Sequence, residues 1–550
     1  MKLYSSVIEH IARNSQITPD RICMADGRGA LTYSEVWSRI YGFSQNLREL
    51  GLTSGSCAAV ECTQNTDYMI SEFAVQLAGG IFVPIEKNAA AGRLSEILRD
   101  TGAVLYIGKD SAKLAAAGFA EPADGAGAAI KSETAASDGA GTPGFVSIQT
   151  AADFACPAEK IPPVEEITFP DAEQVAEILF STGTTGKSKG IVLTHGNDMA
   201  IAENVMCGVK MKKDNVELVP MPLSHSHGLR RTYANMVNGS TAVFSDGVTL
   251  LKKVFTLMDE YGVTAIDLSP SMLSIIFKLS KDRLGDYADV LDYIQLGSAP
   301  LSEEDKVHLS RILPDTRLYN FYGSTEAGCS CLLDFNSMSG RPGCIGKPAV
   351  NAHFIVVDEN RNEIDSSPEN TGFLASSGAI NMKGYFLEPE LTAETMQNGY
   401  IYTKDLGYID PDGYIYMLGR KDDVINYGGI KISPEEIESI VVQHPAVKDC
   451  ACVPVSDALT GQAPKLFVAL SGNAGGSSGS TAAADANEAH SDSSAGSDNS
   501  TAFDLKEFKA FLASRLDANK QPKYIETIDE IPRTFNGKIR RNLLTDLDKK

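Results

Sequence analysis

The sequence predicts an α/β protein, and three observations carry that expectation. From Thr32 to Glu86, helical stretches such as "SEVWSRIYGFSQNLREL" alternate with short apolar strands, "CAAVEC" and "GGIFVPIE". The alternation resumes from about residue 174, and it is the signature of helices layered on sheets. At 550 residues the chain exceeds one compact core and has room for about three to four domain-sized units. A boundary lies near Gly419-Arg420-Lys421-Asp422. Before it, "GYIDPDGYIYMLG" carries Asp-Gly turn chemistry between apolar alternations, which predicts a hairpin. After it, "SPEEIESIVVQHPAV" opens a helix with Ser433 as cap, Pro434 at the first position and Glu436 completing a capping box. The chain is expected to form one unit over 1–418, a connector at 419–422 and a second unit over 423–550.

Composition narrows the function. Hydrophobic residues make up 43% of the chain, as in an ordinary globular enzyme, and the net charge of −22 argues against nucleic acid or an anionic membrane as partner. An anionic substrate must then be collected by a local basic site. The N-terminal "MKLYSSVIEHIARN" lacks the apolar core of a signal peptide, and no run is long enough to span a bilayer, so no membrane insertion is expected. The ten cysteines include the pairs Cys329/Cys331 and Cys450/Cys452, without zinc-finger spacing. They read as reduced thiols and point to the cytoplasm. Two stretches, about 119–145 and 471–501, are rich in Ala, Gly and Ser and read as flexible insertions, because they hold too little apolar surface to offset their ordering entropy.

The chemistry begins at Phe180–Gly190, "FSTGTTGKSKG". It ends like a Walker loop, but the first Walker glycine falls on Ser181, and "VAEILF" before and "IVLTH" after it both read as strands. The loop therefore joins two strands instead of opening a helix. Its glycines still let successive N–H groups converge on an anion, while its hydroxyls and lysines add donors and charge, so a phosphate site is expected at Ser181, Thr182, Gly183, Thr184, Thr185, Gly186 and Lys187.

Further stretches follow in order. "MPLSHSHGL" holds His225 and His227; "LGSAPLSEE" holds Gly297, Ser298, Ala299 and Pro300; "LYNFYGSTEAG" holds Asn320, Tyr322, Gly323, Thr325 and Glu326. "GYIYTKDLGYID" holds Asp405, "MLGRKDDVINYGGIKISPEEIE" holds Arg420 and Gly428-Gly429, and "EIPRTFNGKIRR" holds Lys538. Each alone is weak, since a lone His is usually a packed core residue and a lone Asp after a strand is usually a turn. As an ordered set, they resemble the adenylate-forming superfamily of acyl-CoA synthetases, adenylation domains and beetle luciferases, over nearly the whole chain. Two departures stand out: Ser188 where the family commonly has proline, and Lys404 where its "TGD" has glycine.

The resemblance implies a large N-terminal domain of layered sheets and helices with a small mobile α+β lid, and an acid:CoA ligase using ATP, Mg²⁺ and CoA. It implies that residues 182–187 hold the β- and γ-phosphates, Thr325 the α-phosphate and Glu326 the metal. Tyr322 would stack adenine, framed by Gly297 to Pro300, with Asn320, Gly323 and Arg420 also at the nucleotide; Asp405 would accept from the ribose hydroxyls. Lys538 would bridge the carboxylate and α-phosphate, His225 would gate the acyl pocket, Asp422 would be the hinge, and Gly428-Gly429 would admit pantetheine. A carrier protein presents the same thiol arm and is the alternative acceptor; a non-enzymatic nucleotide or acyl binder is the other class. Adenylation domains for amino acids usually place an aspartate near the start of the histidine motif, and "MPLSHSHGL" has none, which counts against an amino acid substrate. Arg230 and Arg231 follow that motif: either one of them pairs with a second polar or anionic group of the acid, or both are surface or packing arginines.

The insertion over 472–500 should be dispensable, because a long polar loop adds little closure cost and no core. Replacing it by a short Gly/Ser linker should leave turnover and melting temperature unchanged; a large loss of either would show that it orders onto the enzyme.

Overall fold

Local chemistry starts several of the helices. Thr32 and Thr194 each accept from the backbone N–H three residues on, and Glu35 and Asn197 reach back to complete capping boxes, which open the helices Tyr33–Glu49 and His195–Gly208. Ser433 caps Pro434–Val441 by position only. Its hydroxyl donates to Glu435 Oε2 at 2.9 Å, so the expected capping box does not form, and Pro434 at the first position sets the helical start. The Asp-Gly turn does form: Gly413 N–H donates to the Asp410 carbonyl at 2.9 Å, and the strands Tyr400–Ile409 and Ile415–Arg420 are neighbours in one sheet.

The computed structural model describes residues 3–119, 143–148, 153–181, 189–299, 301–336, 341–421, 423–427, 430–457, 460–471, 503–516, 520–533 and 538–547. Most of both predicted insertions lies outside these residues. The chain divides into two units, Met1–Met417 and Leu418–Lys550.

Two sheets organise the first unit. The larger runs six strands in parallel, in the order Ile22–Asp26, Thr241–Phe244, Val216–Val219, Ala265–Leu268, Tyr293–Leu296 and Arg317–Ser324, and continues antiparallel through Gly328–Asp334. The smaller places Val175–Ser181 parallel to Ile81–Ile85 and antiparallel to Lys189–Thr194. Every residue of the helix Thr66–Leu77 is buried, Asp67, Glu72 and Gln76 included, which is the pattern of a helix enclosed on all sides.

The helix Ser226–Asn238 ties the two sheets together through consecutive arginines. Arg230 Nη1 lies 2.8 Å from Glu177 Oε1 on the smaller sheet and 2.8 Å from Asp198 Oδ1 on the helix His195–Gly208. Arg231 turns to the larger sheet. It pairs with Glu217, donates to Gln295 Oε1 and reaches the Tyr293 hydroxyl at 3.2 Å. Both side chains are fully buried. The expectation that one of them meets the substrate acid is therefore corrected: their partners are internal carboxylates and amides.

The Arg230 cluster holds more acid than base. Tyr233 has one hydroxyl proton, yet its oxygen contacts both Glu72 Oε1 and Glu177 Oε2, so one of these carboxyls must itself carry a proton. Burial, reinforced by the Glu177 charge, pushes both Glu72 and Asp198 well above the usual carboxylate range. Burial alone would lower the Arg230 guanidinium, but Glu177 and Asp198 outweigh it and hold it up.

The second unit packs a mixed sheet against its helices. Gly461–Leu470 pairs antiparallel with Val447–Asp457 and parallel with Tyr524–Thr527, and Ile437, Val441, Leu466, Phe508 and Leu512 fill the core beneath. Among the described residues, no helix is long and apolar enough to cross a membrane, and all ten cysteines are free thiols.

Arg230→Met should cost about 3–5 kcal/mol of stability, because it strands buried carboxylates without their cation. Those acids hold protons more tightly folded than unfolded, so stability falls as pH rises above the ordinary carboxylate range, and the deficit of the variant should widen in the same direction. Urea denaturation at pH 6 and pH 8 measures both effects; an equal midpoint for variant and wild type would contradict the ion-pair assignment.

Candidate active site

The parallel strands of the larger sheet end along one edge, and the predicted site residues cluster there. Gly297 and Ser298 directly follow the strand Tyr293–Leu296, Thr325 and Glu326 follow Arg317–Ser324, and Asn320, Tyr322 and Gly323 lie within that strand. The carboxyl edge of a parallel sheet is where ligands bind in open α/β folds, since loops there are free to shape a crevice.

Hydrogen bonds link these loops. His225 is the cap residue of the helix Ser226–Asn238, and Ser226 Oγ lies 3.1 Å from Thr325 Oγ1, joining the histidine motif to the loop after the neighbouring strand. Gly228, in the first turn of that helix, permits close approach to the preceding segment, because a Cβ there would stand 2.5 Å from the Pro222 carbonyl oxygen. Glu326 accepts from the Tyr385 hydroxyl at 3.1 Å, and its carbonyl accepts from Met382 N–H at 2.8 Å. Gly323 leaves no space for a side chain: a Cβ would meet the Gly328 carbonyl oxygen at 2.0 Å.

A further connection between segments distant in sequence joins Tyr322 to Asp405. The Tyr322 hydroxyl donates to Asp405 Oδ2 across 83 positions, so the residues expected to stack adenine and bind ribose stand side by side. Thr403 to Asp405 sit where the register with Gly372–Ser377 shifts; the Thr403 hydroxyl donates to the Leu374 carbonyl at 2.6 Å and accepts from Asp405 N–H at 3.1 Å. Such a bulge re-aims side chains. It leaves Lys404 exposed and Asp405 half-buried, so the lysine in place of the family glycine extends to solvent. Asn320 is buried, and its Oδ1 has no hydrogen-bond partner among the described residues.

Ser181 and Lys189 form the last pair of an antiparallel hairpin, so the glycine-rich stretch joins two strands, as its flanks predict. Thr182, Gly183, Thr184, Thr185, Gly186 and Lys187 lie outside the described residues, as do Pro300, Asp422, Gly428 and Gly429. Ala299 is half-buried beside Ser298. In the second unit Arg420 is exposed, its carbonyl accepting from Asp423 and Val424 N–H, and Lys538 is exposed.

One constellation escaped the sequence reading. His227 Nδ1 lies 2.7 Å from Ser298 Oγ, and its Nε2 lies 2.9 Å from Asp267 Oδ1 on the strand Ala265–Leu268. The motif "HSH" draws attention to His227, but nothing in "AIDLSP" marks Asp267 as its partner.

Comparison with known proteins agrees with this geometry. Residues 11–386 match the family model for AMP-binding enzymes, and residues 436–538 match the C-terminal domain of AMP-binding enzymes. Relatives include a 2-succinylbenzoate–CoA ligase of Bacillus cereus, 26% identical over 96% of each chain, and a feruloyl-CoA synthase of Amycolatopsis, 27% identical over 96% of each. Among solved structures, ATP-bound MatB from Rhodopseudomonas palustris superposes with a TM-score of 0.80 at 22% identity over 99% of each chain. The o-succinylbenzoate CoA synthetase of Bacillus subtilis, with its acyl-adenylate OSB-AMP, does so with a TM-score of 0.76 at 20% identity over 98% of each. The chain belongs to the AMP-binding enzyme family, with the large N-terminal and small C-terminal domains of adenylate-forming ligases.

Proposed function

We propose that this protein is an ATP-dependent acid:CoA ligase. The observation that carries the reading is the convergence of Tyr322, Asp405, Thr325 and Glu326 on one sheet edge, in a chain whose relatives along nearly their full length are CoA ligases. A carboxylate is a poor electrophile because its oxygen leaves badly. One oxygen of the acid attacks the α-phosphorus of ATP, pyrophosphate departs, and the acyl carbon now bears AMP as leaving group. The CoA thiolate then attacks that carbon, the bond to AMP breaks, and the thioester forms.

The chain's residues supply positioning and charge. Tyr322 stacks the adenine; Asn320 Oδ1, buried without a partner among the described residues, suits the exocyclic amine; and Asp405 exchanges the Tyr322 hydroxyl for the ribose hydroxyls. Thr325, held by Ser226, donates to the α-phosphate, and the hairpin loop 182–187 takes the outer phosphates. The Glu326 carboxylate, a hard oxygen donor, would hold Mg²⁺ together with the phosphates of ATP. Bound there, Mg²⁺ would neutralise charge on the phosphates. Lys538 supplies the cation between carboxylate and α-phosphate, and movement of the second unit about Asp422 replaces it by Gly428-Gly429 for the thiol step.

CoA is the acceptor in preference to a carrier protein, as in the relatives' names. The free thiols, seven of ten buried, fit a reducing compartment, the cytoplasm.

Incubation with ATP, Mg²⁺, CoA and a panel of fatty and aromatic acids should yield AMP and thioester in equal amounts for at least one acid. Thioester formed only on a phosphopantetheinyl carrier protein would reassign the acceptor. Lys538→Ala should slow acyl-adenylate formation about a hundredfold or more, the scale of losing one preorganised charge. Given preformed acyl-adenylate and CoA, it should still make thioester near the wild-type rate, whereas a bulky residue at Gly429 should give the reverse. Equal damage to both half-reactions by Lys538→Ala would contradict its role.

A further inference from the structure

Asp267, His227 and Ser298 form a hydrogen-bonded chain that the ligase reaction, as assigned above, does not use. Asp267 is fully buried; its Oδ1 contacts His227 Nε2 at 2.9 Å, and its Oδ2 has no hydrogen-bond partner among the described residues. Nε2 faces both the Asp267 carboxylate at 2.9 Å and the Gln295 amide nitrogen at 3.4 Å; the nearer carboxylate, an acceptor only, takes the Nε2 proton, which leaves Nδ1 as the acceptor. The group facing Nδ1 at 2.7 Å is the Ser298 hydroxyl, which therefore donates to it. A hydroxyl bonded to a base that a third group orients is the arrangement of an activated nucleophile, recognised by geometry and role whatever the chain order.

The backbone agrees. Ser298 has φ +72, the left-handed region that a serine seldom adopts, in the sharp turn directly after the strand Tyr293–Leu296. Strain of this kind costs about 1–3 kcal/mol and persists where the surroundings over-determine it; a sharp strand-end turn also exposes the nucleophilic serine of α/β-hydrolases. Here Asp267 is inaccessible while Ser298 is half-buried, so the chain of hydrogen bonds runs from a dry interior to the ligand edge of the sheet. Ser298 contributes backbone to the nucleotide frame, and its hydroxyl is turned to His227 and away from that task. Ser226, the residue before His227, holds Thr325, so the hydroxyl stands close to where the acyl-adenylate is made.

We propose that Ser298, with His227 as general base and Asp267 as positioning residue, is a second catalytic centre that hydrolyses acyl-adenylate when CoA is absent. The inference rests on the ligase reading for its substrate. Ser298 Oγ attacks the acyl carbon as its proton passes to His227 Nδ1; the bond from that carbon to the AMP oxygen breaks, and His227 hands the proton to the departing phosphate, so that AMP leaves and the imidazole is neutral again. Water then attacks the acyl-serine ester, giving a proton to His227, which returns it to Ser298 Oγ as the ester breaks. Acid and AMP are the products, and only water is consumed.

Two measurements separate this centre from the ligase. A fluorophosphonate probe, with no ATP present, should label Ser298 in the wild type, read by peptide mass, and label it at least tenfold more slowly in Asp267→Asn, which keeps the shape but presents the wrong tautomer. Absent labelling of the wild type, or equal labelling of both, overturns the proposal whether or not the protein is a ligase. With acid, ATP and Mg²⁺ but no CoA, the wild type should release AMP over many turnovers, and Asp267→Asn should give one equivalent of pyrophosphate followed by AMP release at least tenfold slower. Identical AMP release after that burst also overturns it, whereas no pyrophosphate burst from either protein would sink the ligase reading and leave the probe result to stand alone.

Discussion

Two adjacent arginines on one helix set the geometry on which the active-site edge depends. Successive residues of a helix point about 100° apart, so Arg230 reaches Glu177 on one sheet while Arg231 reaches Glu217 on the other. The first turn of the same helix carries His225, Ser226 and His227. Fixing the helix between the sheets therefore fixes the histidine motif against the ends of the parallel strands. Guanidinium suits this duty because its fork engages several acceptors at once, as Arg231 does with Glu217, Gln295 and Tyr293.

From that anchor the site assembles by short links between distant segments. Ser226 joins Thr325, His227 joins Ser298 and Asp267, and Tyr322 joins Asp405. The links join strand ends, a helix start and the loops between them, so a nucleotide lying along the sheet edge would meet base-, ribose- and phosphate-binding groups in turn. The acid-rich interior does not compete for that role. With more carboxylates than guanidinium around Arg230, it holds protons and stays internal.

Much of this was legible in the sequence. The strands flanking "FSTGTTGKSKG" read correctly because β-branched runs on both sides excluded a loop-to-helix transition, and the ordered motifs identified the family. What was not legible depends on partners far away in the chain. Arg230 and Arg231 look alike, and cations beside a binding motif suggest a ligand; their burial follows from Glu177, Asp198 and Glu217, none of which a local pattern links to them. Lys404 stands where the family has glycine, and its exposure follows from the register shift opposite Leu374, which no local pattern encodes. Ser433 marks a helix start by position, yet which acceptor its hydroxyl takes is a choice among near neighbours that a motif does not encode.

Acid-dependent exchange of labelled pyrophosphate into ATP, measured without CoA, tests carboxylate adenylation most directly, since exchange requires the acyl-adenylate to form and reverse on the protein. Acid:CoA ligation predicts Mg²⁺-dependent exchange that one carboxylic acid stimulates well above the acid-free rate. A folded protein that binds ATP but exchanges no pyrophosphate with any fatty, aromatic or dicarboxylic acid would contradict it.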